Sequence, residues 1–80
     1  MDFLHLPLPF RVRGVSNFNA SSVQEMSIAT NNVYTVLQRD PQGHWLQAQS
    51  PTGDYCWFPA ACVGTPSLIL MKHQIAKIQI

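Results

Sequence analysis

The pattern that most constrains the fold is a series of short, alternating apolar segments, separated by turn signals, from Phe10 to Val63. The segments "FRVRGV", "VYTVLQ" and "HWLQAQ" alternate in the way that half-buried strands do. The stretches "TNN", "RDPQGH" and "SPTGD" are rich in turn-forming residues. No convincing helical pattern falls in this range. We therefore predict an all-β fold of about five strands, a small barrel or sandwich, because so short a sheet must curl to cover its edges.

The strand alternation also predicts the interior, because successive side chains of a strand point to opposite faces. The small Gly14 and Ala48 are expected to make room for the bulky Tyr34 and Phe58, since interiors tolerate changes that conserve volume. Trp45 is out of phase with Ala48 and is expected to face solvent. The predicted inward-facing residues are Val12, Gly14, Met26, Ile28, Tyr34, Val36, Ala48, Phe58 and Val63.

Length and charge limit the functions that such a chain can have. The 80 residues allow one small domain, and five basic against four acidic residues leave a net charge of +1. Proteins that bind nucleic acids carry a basic face, because neutralising phosphates drives their affinity. We therefore expect no nucleic-acid partner.

The cysteines and the N-terminus indicate the compartment. If the chain between Cys56 and Cys62 is mostly extended, its ends lie roughly 20 Å apart, whereas a disulfide needs Cα atoms within about 7 Å. Two free thiols in a reducing compartment are the better interpretation. The start "MDFLHLPLPF" lacks the positive charge of a signal peptide, and no apolar run is long enough for a membrane span. The expected location is cytoplasmic, without membrane insertion.

The two ends differ from the middle of the chain. Residues 1–9 are predicted to form an extended, proline-containing linker, residues 10–65 the barrel, and residues 66–80 an apolar tail. The tail could be a short amphipathic helix or an extra strand, and it could pack on this domain, on another domain or on a second copy. The helical alternative depends on one apolar stripe formed by Leu68, Met71, Ile75 and Ile78.

Five short motifs, in the correct order, make the middle of the chain resemble a Src homology 3 (SH3) domain. They are "GVSNF" at 14–18 for the family's ALYDY, "EMSI" at 25–28 for E-L-S-F, residues 31–37 for G-D-x-x-x-V-L, Trp45 for the family's tryptophan, and residues 56–63 for the closing G-x-x-P-S-N-Y-V. The resemblance implies a small five-stranded barrel. It also implies a non-catalytic protein–protein interaction module of a larger signalling, adaptor, scaffold or cytoskeletal protein.

The resemblance also implies which residues bind a peptide. SH3 domains stack prolines of a polyproline II peptide on an aromatic groove. Of the residues that build this groove, three are kept in kind, two tyrosines are replaced by Ser16 and Cys62, and Trp57 could extend the aromatic surface. The candidate peptide-binding residues are therefore Phe18, Trp45, Trp57, Pro59, Ser16 and Cys62.

The departures from the family leave two functional hypotheses. The loop 19–24 carries no charge, so the charge-assisted bonds that a ligand arginine normally makes are missing. The first hypothesis is an interaction module that binds a proline-rich or atypical peptide weakly. The second is a domain whose groove has decayed and that packs on a neighbouring domain or a partner, through another face or the tail.

Catalysis finds little support in the sequence. The histidines His5, His44 and His73 are scattered over linker, loop and tail, and no orienting residue accompanies either cysteine. A Cys-x5-Cys pair is not a usual zinc-binding arrangement. We expect neither an enzyme nor a cofactor or metal, and we expect the partner to be a protein or peptide.

Overall fold

The computed structural model describes residues 3–64, and its regular structure is almost entirely β. Within these residues the single helix is a 3-10 turn near the C-terminal end. In chain order the elements are β1 (Phe10–Gly14), β2 (Val33–Val36), β3 (Gln38–Arg39), β4 (Trp45–Gln49), β5 (Tyr55–Pro59), the 3-10 helix (Ala60–Cys62) and β6 (Val63–Gly64).

The strands form two antiparallel sheets of three strands each, in the orders β2-β1-β6 and β3-β4-β5. β2 and β3 are separated only by Leu37, whose N–H donates to the carbonyl of Gln47 at 2.8 Å. One bent strand thus serves both sheets. Counted in this way the barrel has five strands, and the predicted all-β fold is confirmed.

The core lies between the two sheets, and the alternation predicted its composition well. Eight of the nine predicted residues are buried: Val12, Gly14, Met26, Ile28, Val36, Ala48, Phe58 and Val63. The ninth, Tyr34, is half-buried, because its ring packs against Phe58 at 5.9 Å while its hydroxyl accepts the N–H of Ala29 at 2.9 Å. The structure adds four further buried side chains, which are Phe3, Leu46, Cys56 and Ala60.

The segment "EMSI" is not a regular strand, although its apolar residues point inward as predicted. Met26 and Ile28 are buried, but the segment pairs only through two isolated bridges, Phe18 with Ile28 and Glu25 with Trp57. The long connection 15–32 is therefore a loop that folds back along β5. Its polar run at residues 19–24 is exposed, and most of its hydrogen bonds join it to the following residues of the loop and to β5.

The ends of the chain bear on the predicted domain limits, which stay a prediction. Residues 3–9 lie against the barrel, with Phe3 in the core and Leu6 packed against it. The peptide bond between Leu8 and Pro9 is cis. The tail, with its helical and strand alternatives, lies outside the described residues. Both cysteines are free thiols, as expected. Within residues 3–64, no helix is long and apolar enough to cross a membrane.

Candidate functional site

Trp45 is the centre of an aromatic patch at the start of β4. The alternation that buries its neighbour Leu46 turns the indole outward, and 37% of the residue is exposed. On β5, Pro59 lies directly opposite Trp45 in the strand register. The ring of Phe18 meets the indole edge-on, with 6.4 Å between centroids and 79° between planes. We call Phe18, Trp45 and Pro59 the aromatic patch.

The backbone of Trp45 is held by the loop that precedes it. The Trp45 N–H donates to Oδ1 of Asp40 at 2.8 Å, and the Asp40 N–H donates to the Trp45 carbonyl at 3.0 Å. The first of these bonds is the main cause that lowers the pKa of Asp40 below its usual 3.8. The carboxylate therefore stays charged at neutral pH and keeps this loop closed. Across the strand end, the Ala60 N–H donates to the carbonyl of His44 at 2.8 Å.

Ser16 and Cys62 lie together at one end of the site. The N–H groups of Val15 and Ser16 both donate to the Cys62 carbonyl, at 2.8 and 3.3 Å. The Ser16 side chain is exposed, whereas Cys62 is half-buried and packs against the core. Because Cys62 belongs to the turn that follows Pro59, this end adjoins the aromatic patch. It offers one exposed hydroxyl and one thiol, and it has no flat ring.

Trp57 lies on the other side of Trp45, in an open depression of about 200 Å³ lined by Ser22, Gln24, Glu25, Trp45 and Trp57. The loop 15–32 reaches β5 here: the Trp57 N–H donates to the Gln24 carbonyl at 2.8 Å, and the Met26 N–H donates to the Trp57 carbonyl at 3.0 Å. This contact leaves Trp57 half-buried. The two indoles therefore share one depression, with Trp45 between it and Phe18.

Glu25 is the lining residue that the sequence analysis missed. Its Oε1 accepts bonds from the backbone N–H and the hydroxyl of Ser21, at 2.9 and 2.8 Å. The backbone bond, and then the hydroxyl bond, lower the pKa of Glu25 below its usual 4.5. The signal for it is present in the sequence, because Glu25 is next to the inward-facing Met26 and must itself point outward. The depression thus contains one carboxylate.

A larger cleft lies elsewhere. It measures about 780 Å³, lies beside β2 and the turn that joins β4 to β5, and is lined by Val33, Tyr34, Leu37, Ala48, Pro51 and several amide side chains. No residue of the aromatic patch contributes to it. Because it offers neither an exposed tryptophan nor a charged group, we regard the smaller depression beside Trp45 as the better candidate for peptide recognition.

The described residues contain little that could carry catalysis or bind a metal. Within residues 3–64, no three His, Cys, Asp or Glu side chains lie close enough together to hold a metal ion. The thiol of Cys56 is buried and donates to the carbonyl of Val23 at 3.8 Å, so this thiol has a structural contact instead of an open path to a substrate. Asp40, Glu25 and Asp54 each accept bonds from their own loops.

Comparison with known proteins supports the fold and extends over most of the described chain. A family model described as the SH3 domain matches residues 15–60. Two similar solved structures are of the C-terminal SH3 domain of myosin IB from Entamoeba histolytica, one of them bound to an EhFP10(GEF) peptide. Each is 24% identical with a TM-score of 0.60 and covers 71% of this chain, and the matches cover 80% of the peptide-bound chain and 90% of the other. No curated protein sequence matches the chain.

Proposed function

The chain belongs to the SH3 domain family, whose members are protein–protein interaction modules and generally non-catalytic, and on this premise we propose that it binds a peptide segment of a partner protein through the aromatic patch. The proposed ligand is proline-rich or atypical and binds weakly. The proposed contact residues are those inferred from the sequence, Phe18, Trp45, Trp57, Pro59, Ser16 and Cys62, together with Glu25.

One observation carries this proposal: an exposed indole lies between a phenylalanine edge and a proline. Large aromatics on so small a domain gain free energy from burial, so an exposed tryptophan that is held in place by its backbone is typical of a binding surface. A ligand rich in proline suits such a surface, because a polyproline II helix is ordered before binding and loses little entropy.

The residues at the two ends of the site support weak binding. At one end, Ser16 and Cys62 replace tyrosines, so a ligand finds no ring walls and no phenolic donors for its carbonyls. At the other end, Glu25 could pair with a ligand cation, but this single exposed carboxylate already accepts two bonds from Ser21. An ion pair at such a solvent-accessible carboxylate contributes little, because water and salt screen it.

A titration of the labelled backbone amides with a panel of proline-rich peptides tests the proposal. We expect chemical shifts to change at Phe18, Trp45, Trp57 and Ala60, and we expect Trp45→Ala to abolish those changes. Tyr55→Ala is the matched control, because Tyr55 is an exposed aromatic at the far end of β5. Loss of binding in both variants, or in neither, contradicts the proposed site.

The outcome in which no peptide binds favours the second hypothesis, a decayed groove on a domain that packs against a partner. In that case, dimerisation or partner binding should depend on residues 66–80, which a truncated chain would reveal in sedimentation. We further propose that the domain is part of a larger signalling or cytoskeletal protein and that this protein is cytoplasmic, as is typical of SH3 domains.

A further inference from the structure

We propose that residues 3–9, which we call the N-terminal strap, act as a positioning element for the peptide site, although they precede the part of the chain that the family model matches. At one end of the barrel, the strap contacts the loop before Trp45 and the turn after Pro59. The importance of this for peptide affinity rests on the proposed function, whereas the positioning itself can be measured without a ligand.

The first contact is made by Phe3, which belongs to the core. It is 3% exposed, and its ring stacks on that of Phe10 with 5.7 Å between centroids and 6° between planes. The same side chain lines a cavity of about 430 Å³ together with Gly43, His44, Ala60, Ala61 and Val63. Phe3 thus lies beside the loop before Trp45 and beside the turn after Pro59.

The second contact is made by Arg39, the last residue of β3. Its Nη1 donates to the carbonyl of Phe3 at 3.0 Å and also to the carbonyl of Leu6. Bonds from a charged donor are stronger than neutral ones, so Arg39 fastens the strap where the loop 40–44 begins. Within residues 3–64, these two carbonyls are the hydrogen-bond partners of its guanidinium.

The third contact is made by Leu4, which packs against Gly43 near the other end of the loop 40–44. Gly43 has a left-handed φ of 74°, and a Cβ added to it would lie 3.0 Å from the Leu4 side chain. The strap therefore lies directly over the Gly43 backbone. The Gly43 N–H, in turn, donates to the Asp40 carbonyl at 3.0 Å, so the strap covers a closed loop.

These contacts reach the peptide site through two hydrogen bonds. Asp40, next to Arg39, accepts the Trp45 N–H, and His44, next to Gly43, accepts the Ala60 N–H. The first bond fixes the start of β4 and the second fixes the chain just after Pro59. If the strap is released, the loop 40–44 loses its cover, and both bonds should open more often.

Native-state hydrogen exchange of the full chain tests the inference. We expect Arg39→Ala to raise the exchange rates of the Trp45 and Ala60 amides by about tenfold or more, with little change at Ser50 and Gly53 in the turn between β4 and β5. Leu4→Ala, which alters only a partly exposed contact, should act on the same two amides to a smaller extent. Arg11→Ala is the matched control, because Arg11 is an exposed arginine of β1 that does not contact the strap carbonyls.

An equal rise at all four amides would mean a general loss of stability and would overturn the inference, as would no rise at Trp45 and Ala60 in either strap variant. The peptide titration separates this failure from failure of the proposed function. If the unaltered chain binds a peptide and Arg39→Ala binds it equally well, the strap does not contribute to peptide affinity and the proposed function stands. If the unaltered chain binds nothing, the proposed function fails while the exchange measurement still decides whether the strap positions Trp45.

Discussion

Gly14→Ala should be among the most damaging single-methyl changes in this domain. A Cβ at position 14 would lie 2.2 Å from the carbonyl oxygen of Ala29 and 3.1 Å from Cγ2 of Ile28. The Ala29 oxygen is backbone, so the clash can be relieved only by moving the chain. The space beside Gly14 is therefore occupied by the connection 15–32. We expected this glycine to make room for Tyr34 or Phe58, but it makes room for the backbone of Ala29.

The magnitude follows from the contacts that would have to move. Overpacking in a core costs about 1–3 kcal/mol. The Gly14 N–H donates to Asn32 and its carbonyl accepts from Asn31, both at 2.8 Å, and weakening each bond costs roughly 1 kcal/mol. The lower entropy of the unfolded alanine chain returns about 0.4–1 kcal/mol. We expect a net loss of about 2–4 kcal/mol, a large part of the roughly 3–5 kcal/mol available to so small a domain.

The chain offers a matched control in the adjacent strand. Gly64 lies beside Arg13 in the β1–β6 register, and among residues 3–64 a Cβ there would meet only a Val15 methyl, at an ordinary 3.5 Å. Gly64→Ala should therefore change the free energy of unfolding by about 0.5 kcal/mol or less. Urea unfolding followed by tryptophan fluorescence measures both variants. A Gly14→Ala variant as stable as Gly64→Ala would refute the reasoning about the Ala29 carbonyl.

Three further predictions concern other parts of the barrel. Ala48→Leu should destabilise the domain by about 1–3 kcal/mol in urea unfolding, because Ala48 is 2% exposed and faces Cys56 across the strands; a neutral result would show that the barrel has spare volume. Phe3→Ala should cost about 3–5 kcal/mol if the strap belongs to the core, and a loss below about 1 kcal/mol would mean that the strap is only loosely attached. The pKa of Glu25 and of Asp40 is lower in the folded chain than the usual 4.5 and 3.8, so each carboxylate stabilises the fold at a pH above those values, and this contribution is lost as the pH falls through the lowered folded-state pKa. Ser21→Ala removes the hydroxyl bond to Glu25 and keeps the larger backbone contribution, so a carboxyl titration by NMR should show the pKa of Glu25 rising only part of the way to its usual value, and an unchanged pKa would contradict the contribution assigned to the hydroxyl.

The strand alternation predicted most of the core because it records which face each residue occupies. The same alternation places Cys56 in phase with Phe58, so the burial of Cys56 is also local information that the sequence carries. Phe3 was not predictable in this way. It stands outside any strand, in a segment with two prolines, and its burial depends on Phe10 and on the end of the barrel, which are tertiary contacts.

The candidate site also has a part that local alternation predicts and a part that depends on tertiary contacts. The outward direction of Trp45 follows from the phase of β4, which is local information. The place of Glu25 beside the two indoles depends on the loop 15–32 folding back onto β5 through the bonds of Trp57. The segment "EMSI" alternates like a strand. Alternation cannot show, however, that this segment pairs with its neighbours through only two isolated bridges.

The residues of the aromatic patch can be inferred from relatives, whereas the contacts that hold them in place cannot. The proposal of Phe18, Trp45 and Pro59 as peptide-binding residues comes from the resemblance to the SH3 family, by residue type and position within the matched range. The contacts that hold these residues in place cannot be inferred in this way. They are the Arg39 bonds to the strap, the Asp40 bond to Trp45, and the bond of the Cys56 thiol to the carbonyl of Val23. These contacts lie in irregular segments, where backbone groups find partners case by case. These bonds hold the backbone of Trp45 and its neighbours in place even though Ser16 and Cys62 stand where the family resemblance implies tyrosines, and we therefore favour the proposed groove with altered specificity over a decayed one.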